Sequence, residues 1–149
     1  WLVSPYFVPD VDIVSALQLA ALRGVEERIM LPERPDHRMV WLASFTFLPQ
    51  MSLPQIQFYR YTPGFLHQKV LLVDNRLAVV GTANADNRSF RLNFEISLVS
   101  ASPEFVRKVS EMLTEDFRQC RRSDANDYAA RSLRFRFAAQ VCRLMAPIL

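Results

Sequence analysis

The sequence predicts an α/β domain, a mixed β-sheet with flanking helices, followed by a C-terminal amphipathic helix. Three observations carry this. Strand-like and helix-like stretches alternate early, and strands then run together, an order that packs helices onto a sheet. Half of the 149 residues are apolar and they are spread along the whole length. That is enough for one buried core and too many for a disordered chain. Charge also shifts near the end: residues 118–149 hold seven arginines and two aspartates, whereas residues 1–117 hold eleven basic and thirteen acidic side chains. The expected division is a domain over residues 1–127 and a basic helix over residues 128–149.

Taken in order, residues 2–8 read as a buried strand stopped by Pro9. Asp10 is a plausible cap for a helix from Val11 to Arg23, with Ile13, Val14, Leu17, Ala20 and Ala21 at helical spacing and Gly24 past its end. Arg28 to Leu31 is a short strand. Asp36 is placed to cap a helix from about His37 towards Phe47, and Pro49 and Pro54 interrupt the stretch after it. Ile56 to Tyr61 alternates as a half-buried strand does. Strands over Phe65–Val73 and Leu77–Val80 are joined by the turn residues Asp74-Asn75-Arg76. A loop with Gly81, Asn84, Asp86 and Asn87 leads to a strand over Phe94–Ser100. Ser102 then caps a helix from Pro103 to Arg122, with a stripe of Phe105, Val109, Met112, Leu113, Phe117 and Cys120.

The tail differs. Leu133, Phe137, Val141 and Leu144 fall on one side of a helix, flanked by Arg136 and Arg143. A basic amphipathic helix suits a membrane surface. It equally suits packing on the domain with a solvated arginine face. The two cysteines, Cys120 and Cys142, are expected to be ordinary reduced helix residues, since neither spacing nor neighbouring histidines suggest a metal site. No apolar run reaches the roughly 20 residues that span a bilayer.

The chemistry concentrates in His67-Gln-Lys69-Val-Leu-Leu-Val-Asp74. Side chains alternate along a strand, so His67 and Lys69 point the same way, about 7 Å apart, while Leu66, Gln68 and Val70 point to the other face. Imidazole beside ammonium makes an anion site. The lysine neutralises phosphate charge, and the histidine attacks phosphorus or delivers a proton. With sixteen arginines and only two lysines, the chain uses lysine sparingly, which suggests that a compact point charge is wanted at Lys69. Downstream, Gly81 allows close approach to a ligand, and Thr82 and Asn84 offer short polar groups to phosphate oxygens. Asn93-Phe94-Glu95 puts a carboxylate in an apolar stretch, where it should have a partner; His67 Nδ1–H is the expected one. His37, the other histidine, reads as the start of a helix.

His67-x-Lys69-x4-Asp74, Gly-Thr-x-Asn84 and Asn93-x-Glu95 together resemble the signature of the phospholipase D superfamily. Ser-Pro-Tyr-Phe-Val-Pro-Asp10, Pro-Asp-His37, Pro-Gly-Phe-Leu-His67, Arg88-Ser-Phe, Leu-Asn-Phe-Glu95 and the closing Ala-Pro-Ile-Leu are similar to the C-terminal catalytic half of bacterial cardiolipin synthases. The resemblance runs over the whole chain and is weakest at residues 43–55. It implies a metal-independent, cofactor-free transfer through a phosphohistidine. His67 would be the general acid and base opposite a nucleophilic histidine elsewhere. Lys69, Thr82, Asn84 and Asn93 would hold substrate, Glu95 would orient His67, and Asp74 would be a structural hydrogen-bond acceptor.

Such a site needs two H-x-K motifs and this sequence has one. The start at Trp1, already strand-like, suggests a missing N-terminal half; a second copy of the chain is the alternative. The resemblance further implies phosphatidylglycerol and a membrane surface as partners, at the bacterial cell membrane. Two rivals stand beside it. One is a nuclease or phospholipid hydrolase acting as a homodimer. No nucleic acid is expected, because the balance of residues 1–117 is acidic and phosphate backbones want clustered positive charge. The other is a non-catalytic module that binds anionic lipid.

Overall fold

The computed structural model describes residues 1–145; the closing Ala-Pro-Ile-Leu lies outside them. Seven strands form one mixed sheet: β1 (Leu2–Val3), β3 (Glu27–Pro32), β4 (Ile56–Tyr61), β5 (Val70–Val73), β6 (Leu77–Gly81), β8 (Ser97–Ser100) and β9 (Cys120–Ser123). Their order is β8-β6-β5-β1-β3-β4-β9. The centre, β1-β3-β4, is parallel, and the flanking pairs are antiparallel. A two-stranded parallel ladder, β2 (Phe7–Val8) with β7 (Ala85–Asp86), stands beside it.

The first expected strand is therefore two. Pro5 has no N–H to continue a ladder. Ser4 Oγ instead donates to the Tyr6 carbonyl at 2.6 Å and accepts the Ala85 N–H at 2.9 Å, which redirects the chain towards β7. The helix α1 (Val11–Leu22) forms as expected. Asp10 caps it by accepting the Ile13 N–H at 3.0 Å, and Gly24 ends it at φ 89°. The next helix, α2 (Arg38–Ser44), stops short of Phe47, and a separate turn, α3 (Phe47–Gln50), comes after it. Asp86 accepts the Ser89 N–H at 2.7 Å and so nucleates α4 (Asn87–Arg91), where only a loop was expected.

Alternation in β3 divides the core. Ile29 and Leu31 face α1, α2 and the C-terminal region, together with Phe7, Phe45 and Phe58. Met30 faces α5 (Pro103–Arg118), together with Val70, Leu72, Val109 and Leu113. α5 ends one turn earlier than expected, because Cys120–Ser123 pairs antiparallel with β4. Arg121, on that strand, bridges Glu33 and Asp127. Cys120 therefore belongs to a strand and Met112 is exposed, so neither contributes to a buried helix stripe as expected. Both cysteines are unpaired.

After α6 (Ala125–Ala129), α7 (Leu133–Leu144) packs against α2. It does so through Phe135, Ala139 and Cys142, the face opposite to the expected seam. Leu133, Phe137, Val141 and Leu144 remain 79, 73, 41 and 83% exposed. Arg143 does not flank an outer stripe. It turns inward to Thr46 and Gln50 and lies 4.4 Å from the Phe47 ring centre.

One buried group makes stability pH-dependent. Glu27 opens β3 only 8% exposed, and neither carboxylate oxygen has a partner among the described residues. Desolvation raises its pKa from 4.5 to about 7. The folded state thus binds more protons than the unfolded chain between those values, so stability is highest below the lower one and falls as pH rises through the window. The expected loss is up to about 3 kcal/mol. Urea unfolding between pH 4.5 and 8 should show this slope, and Glu27→Gln should flatten it. An unchanged slope in that variant would assign the pH dependence elsewhere.

Candidate active site

His67 and Lys69 lie in an extended segment that precedes β5 rather than within a strand as expected. One hydrogen bond, Gly81 N–H to the Lys69 carbonyl at 3.1 Å, ties the segment to β6. The alternation still holds. Leu66 and Val70 are buried against α5, and Gln68 Nε2 donates to Asp116 of α5 at 2.9 Å. His67 and Lys69 therefore face away from α5, on the side where Leu71 and Val73 of β5 stay exposed. His67 is exposed and stacks on Phe65, with ring centres 5.1 Å apart.

Lys69 is half-buried and donates to the His67 carbonyl at 2.9 Å. Desolvation lowers its pKa, and the carboxylates of Asp36, Glu95 and Asp86 oppose that shift, with Asp36 the strongest. The lysine thus sits among three acidic groups from three different segments. Among the described residues it forms no ion pair within 4 Å, so its charge remains available to an anion.

Glu95 does not pair with His67 as expected. The Thr82 hydroxyl and Asn93 Nδ2 donate to its carboxylate, and these bonds lower its pKa, Thr82 most. Thr82 Oγ1 also accepts the Ile96 N–H at 3.0 Å. The polar pair that closes this loop is therefore Thr82–Glu95, buttressed by Asn93. β8 begins only at Ser97, so Glu95 lies in the connection before the strand. Asn84 is half-buried, and its Oδ1 is inaccessible and without a partner among the described residues.

Two sequence expectations change role. Gly81 makes room for protein and not for ligand: a Cβ there would meet the Ile96 carbonyl and Ser97 Oγ, both at 2.5 Å. Asp74 lies at the far end of β5. It sits in the three-residue hairpin turn Asp74-Asn75-Arg76, where Asp74 and Asn75 are both at φ 50°, roughly 16 Å along the chain from Lys69. It lines a separate cleft of about 250 Å³ with Trp1 and Glu27, which neither His67 nor Lys69 lines. Thr82, Asn93 and Glu95 are hydrogen-bonded to one another, Lys69 lies within electrostatic reach of Glu95 and bonds the His67 carbonyl, and Asp74 stands apart in the far turn.

Sequence reasoning missed Tyr6 and Asp36. Tyr6 OH donates to Asp36 Oδ2 at 2.8 Å, and His37 meets the Tyr6 ring edge-on at 6.2 Å. Ser-Pro-Tyr and Pro-Asp-His read locally as strand and cap. Only the split of β1 from β2 brings Tyr6 beside the loop that carries Asn84.

The mixed sheet, flanked by helices on both faces and with a histidine–lysine pair at one end of β5, defines a phospholipase D-like domain. The family model described as "Cardiolipin synthase, PLD-like domain" matches residues 1–117, and the chain belongs to that family. It is 47% identical over all 149 residues to cardiolipin synthase A of Pseudomonas putida (strain W619), of which it spans 31%. The fold matches phosphatidylserine synthase of Haemophilus influenzae Rd KW20 with a TM-score of 0.77 at 14% identity, covering 99% of this chain and 41% of that one. It also matches Nuc, a phospholipase D family member from Salmonella typhimurium, with a TM-score of 0.69 at 23% identity, covering 83% and 80%.

Proposed function

We propose that this chain is the C-terminal catalytic half of a cardiolipin-forming phosphatidyltransferase, with His67 as general acid and base and Lys69 as the phosphate-binding cation. The identity to cardiolipin synthase A along the entire chain carries this reading. The shared face of His67 and Lys69 supports it, because the two side chains offer a proton donor and a positive charge to one phosphodiester. A nucleophilic histidine from another half forms a P–N bond to phosphatidylglycerol phosphorus. The P–O bond to glycerol breaks, and His67 gives its proton to the leaving oxygen. A second phosphatidylglycerol then donates its hydroxyl proton to His67, its oxygen bonds phosphorus and the P–N bond breaks. Thr82, Asn84 and Asn93 line the phosphate side, and Glu95 acts through Thr82 and Asn93. No metal or cofactor enters these steps.

The partner that supplies the other histidine is the N-terminal half of a longer protein. The open sheet face supports this: Leu71, Val79 and Val99 are in register across β5, β6 and β8, and none is buried. Phe90, Leu92, Phe94 and Ile96 are likewise exposed beside the site. So much contiguous apolar surface marks an interface. Lipid product analysis of the full-length protein tests the function: phosphatidylglycerol vesicles should yield cardiolipin and free glycerol, and a failure to form either would overturn the reading.

Residues 1–127 are the catalytic half-domain, and residues 128–149 hold it to the bacterial membrane surface. No helix among the described residues is long and apolar enough to cross a membrane. The outward Leu133, Phe137, Val141 and Leu144 suit the headgroup plane instead. Deleting the tail would remove Tyr128, Ala139 and Cys142 from the core, so the test is substitution of the outer face. Phe137→Asp with Leu144→Asp should weaken flotation with phosphatidylglycerol–phosphatidylcholine vesicles at least tenfold, since each buried large side chain contributes about 1.5–3 kcal/mol. Melting temperature should be unchanged. Equal flotation would remove the membrane role.

A further inference from the structure

The site contains more hydrogen-bond acceptors than a phosphate uses. A phosphodiester offers no donor, yet the carboxylate of Asp36 stands exposed beside Tyr6 and exerts the strongest carboxylate pull on Lys69. The acid is fixed from two sides: Tyr6 OH donates to Oδ2 at 2.8 Å, and the His37 N–H donates to Oδ1 at 2.7 Å. Tyr6 is fixed in turn, because its carbonyl receives the Ser4 hydroxyl, which also binds the Ala85 N–H next to Asn84. A held, exposed carboxylate beside a lysine that forms no ion pair among the described residues calls for a ligand that carries donors next to its phosphate, that is, a polyol headgroup.

We infer that Asp36, held in place by Tyr6, is the specificity-determining acceptor for the hydroxyls of a glycerol headgroup and selects an alcohol over water as the phosphoryl acceptor. This rests on the phosphatidyltransferase reading above. The physics is a difference in what each acceptor can offer. The headgroup of phosphatidylglycerol has two free hydroxyls, and free glycerol three, so one can bind Asp36 while another reaches phosphorus. A lone water cannot do both. Binding energy from the non-reacting hydroxyl then orients the reacting one. A carboxylate accepts a stronger hydrogen bond than a neutral amide does, and Asp36→Asn keeps the shape while removing that charge. Tyr6→Phe leaves the carboxylate but frees its orientation.

The experiment uses the full-length protein with phosphatidylglycerol vesicles and reads two things. One is the ratio of cardiolipin to phosphatidic acid, that is, of transfer to hydrolysis. The other is the glycerol concentration that half-saturates exchange of labelled glycerol into phosphatidylglycerol. Asp36→Asn should lower the ratio about tenfold and raise half-saturation about tenfold, and Tyr6→Phe should shift both by about threefold in the same direction. Asp36 is exposed, so melting temperature should not move. A variant in which transfer and hydrolysis fall together, with half-saturation unchanged, overturns the proposal and leaves the phosphatidyltransferase reading intact. A wild-type protein that releases phosphatidic acid but forms no cardiolipin and exchanges no glycerol overturns that reading, and the proposal with it.

Discussion

Replacing His67 with alanine in the full-length protein is expected to reduce cardiolipin formation by about 10²–10⁴-fold, the usual cost of losing a positioned acid and base. The leaving alkoxide of glycerol is a strong base, and without a proton donor it departs slowly. The same imidazole must then take the proton of the incoming alcohol, so both half-reactions suffer. His67 is exposed and stacks on Phe65, so folding should be unaffected, and circular dichroism with a melting curve will verify this. Lys69→Ala should produce a comparable loss by a different route, because it removes the charge that balances the phosphoryl oxygens. The two defects can be separated. A labelled phosphohistidine on the partner half should still accumulate in His67→Ala if its second step is the slower one, whereas Lys69→Ala should bind substrate poorly throughout. Cardiolipin yields at wild-type level in His67→Ala would refute the assigned role.

Gly81→Ala should be the most damaging small substitution outside the reacting groups. Elsewhere in a strand, alanine in place of glycine gains roughly 0.5–1 kcal/mol. Here the added methyl would lie 2.5 Å from a backbone carbonyl and 2.9 Å from the Ser97 Cα, and neither atom can rotate away. β8 must shift off β6, and overpacking of this kind costs about 1–3 kcal/mol. The shift also reaches the site, because the Thr82 N–H and hydroxyl hold Ile96 and Glu95 directly after this contact. Activity should fall by about tenfold or more on top of the stability loss, since small misplacements are costly in a positioned site. Urea unfolding alongside lipid assays measures both. A variant as stable and active as the wild type would mean that β8 is free to move, and that the Thr82–Glu95 bond has no part in positioning.

The legible part of the fold came from local rules with little competition. α1 is bounded by an aspartate cap and a glycine at positive φ, and both signals are present in the sequence. The hairpin at Asp74-Asn75 was legible from turn composition, and the outward direction of His67 and Lys69 from alternation alone. The failures share a cause. β9 is Cys-Arg-Arg-Ser, a poor strand by propensity, and it exists because β4 has a free edge and Arg121 finds Glu33 and Asp127 there. Arg60, at an inward position of β4, is fully buried against Ser44, the Pro32 carbonyl and the Phe45 ring. No local pattern announces that these partners exist.

The site divides along the same line. Residue types and spacing by themselves determined that an imidazole and an ammonium share one face, that a polar Thr–x–Asn loop comes next, and that the chain is α/β. Those depend on the period of a strand and on which side chains hold a proton or a charge. Tertiary structure decided who touches whom. It moved Asp74 to the distant cleft, gave Glu95 to Thr82 and Asn93, turned the apolar stripe of α7 outward and tied the segment that carries Tyr6, with Asp36 bonded to it, to the loop that carries Asn84. Those outcomes depend on contacts between residues far apart in the chain, and such contacts have no signature until the sheet order is set. The His67–Lys69 pair was therefore readable from the sequence, but the environment that gives it a substrate was not.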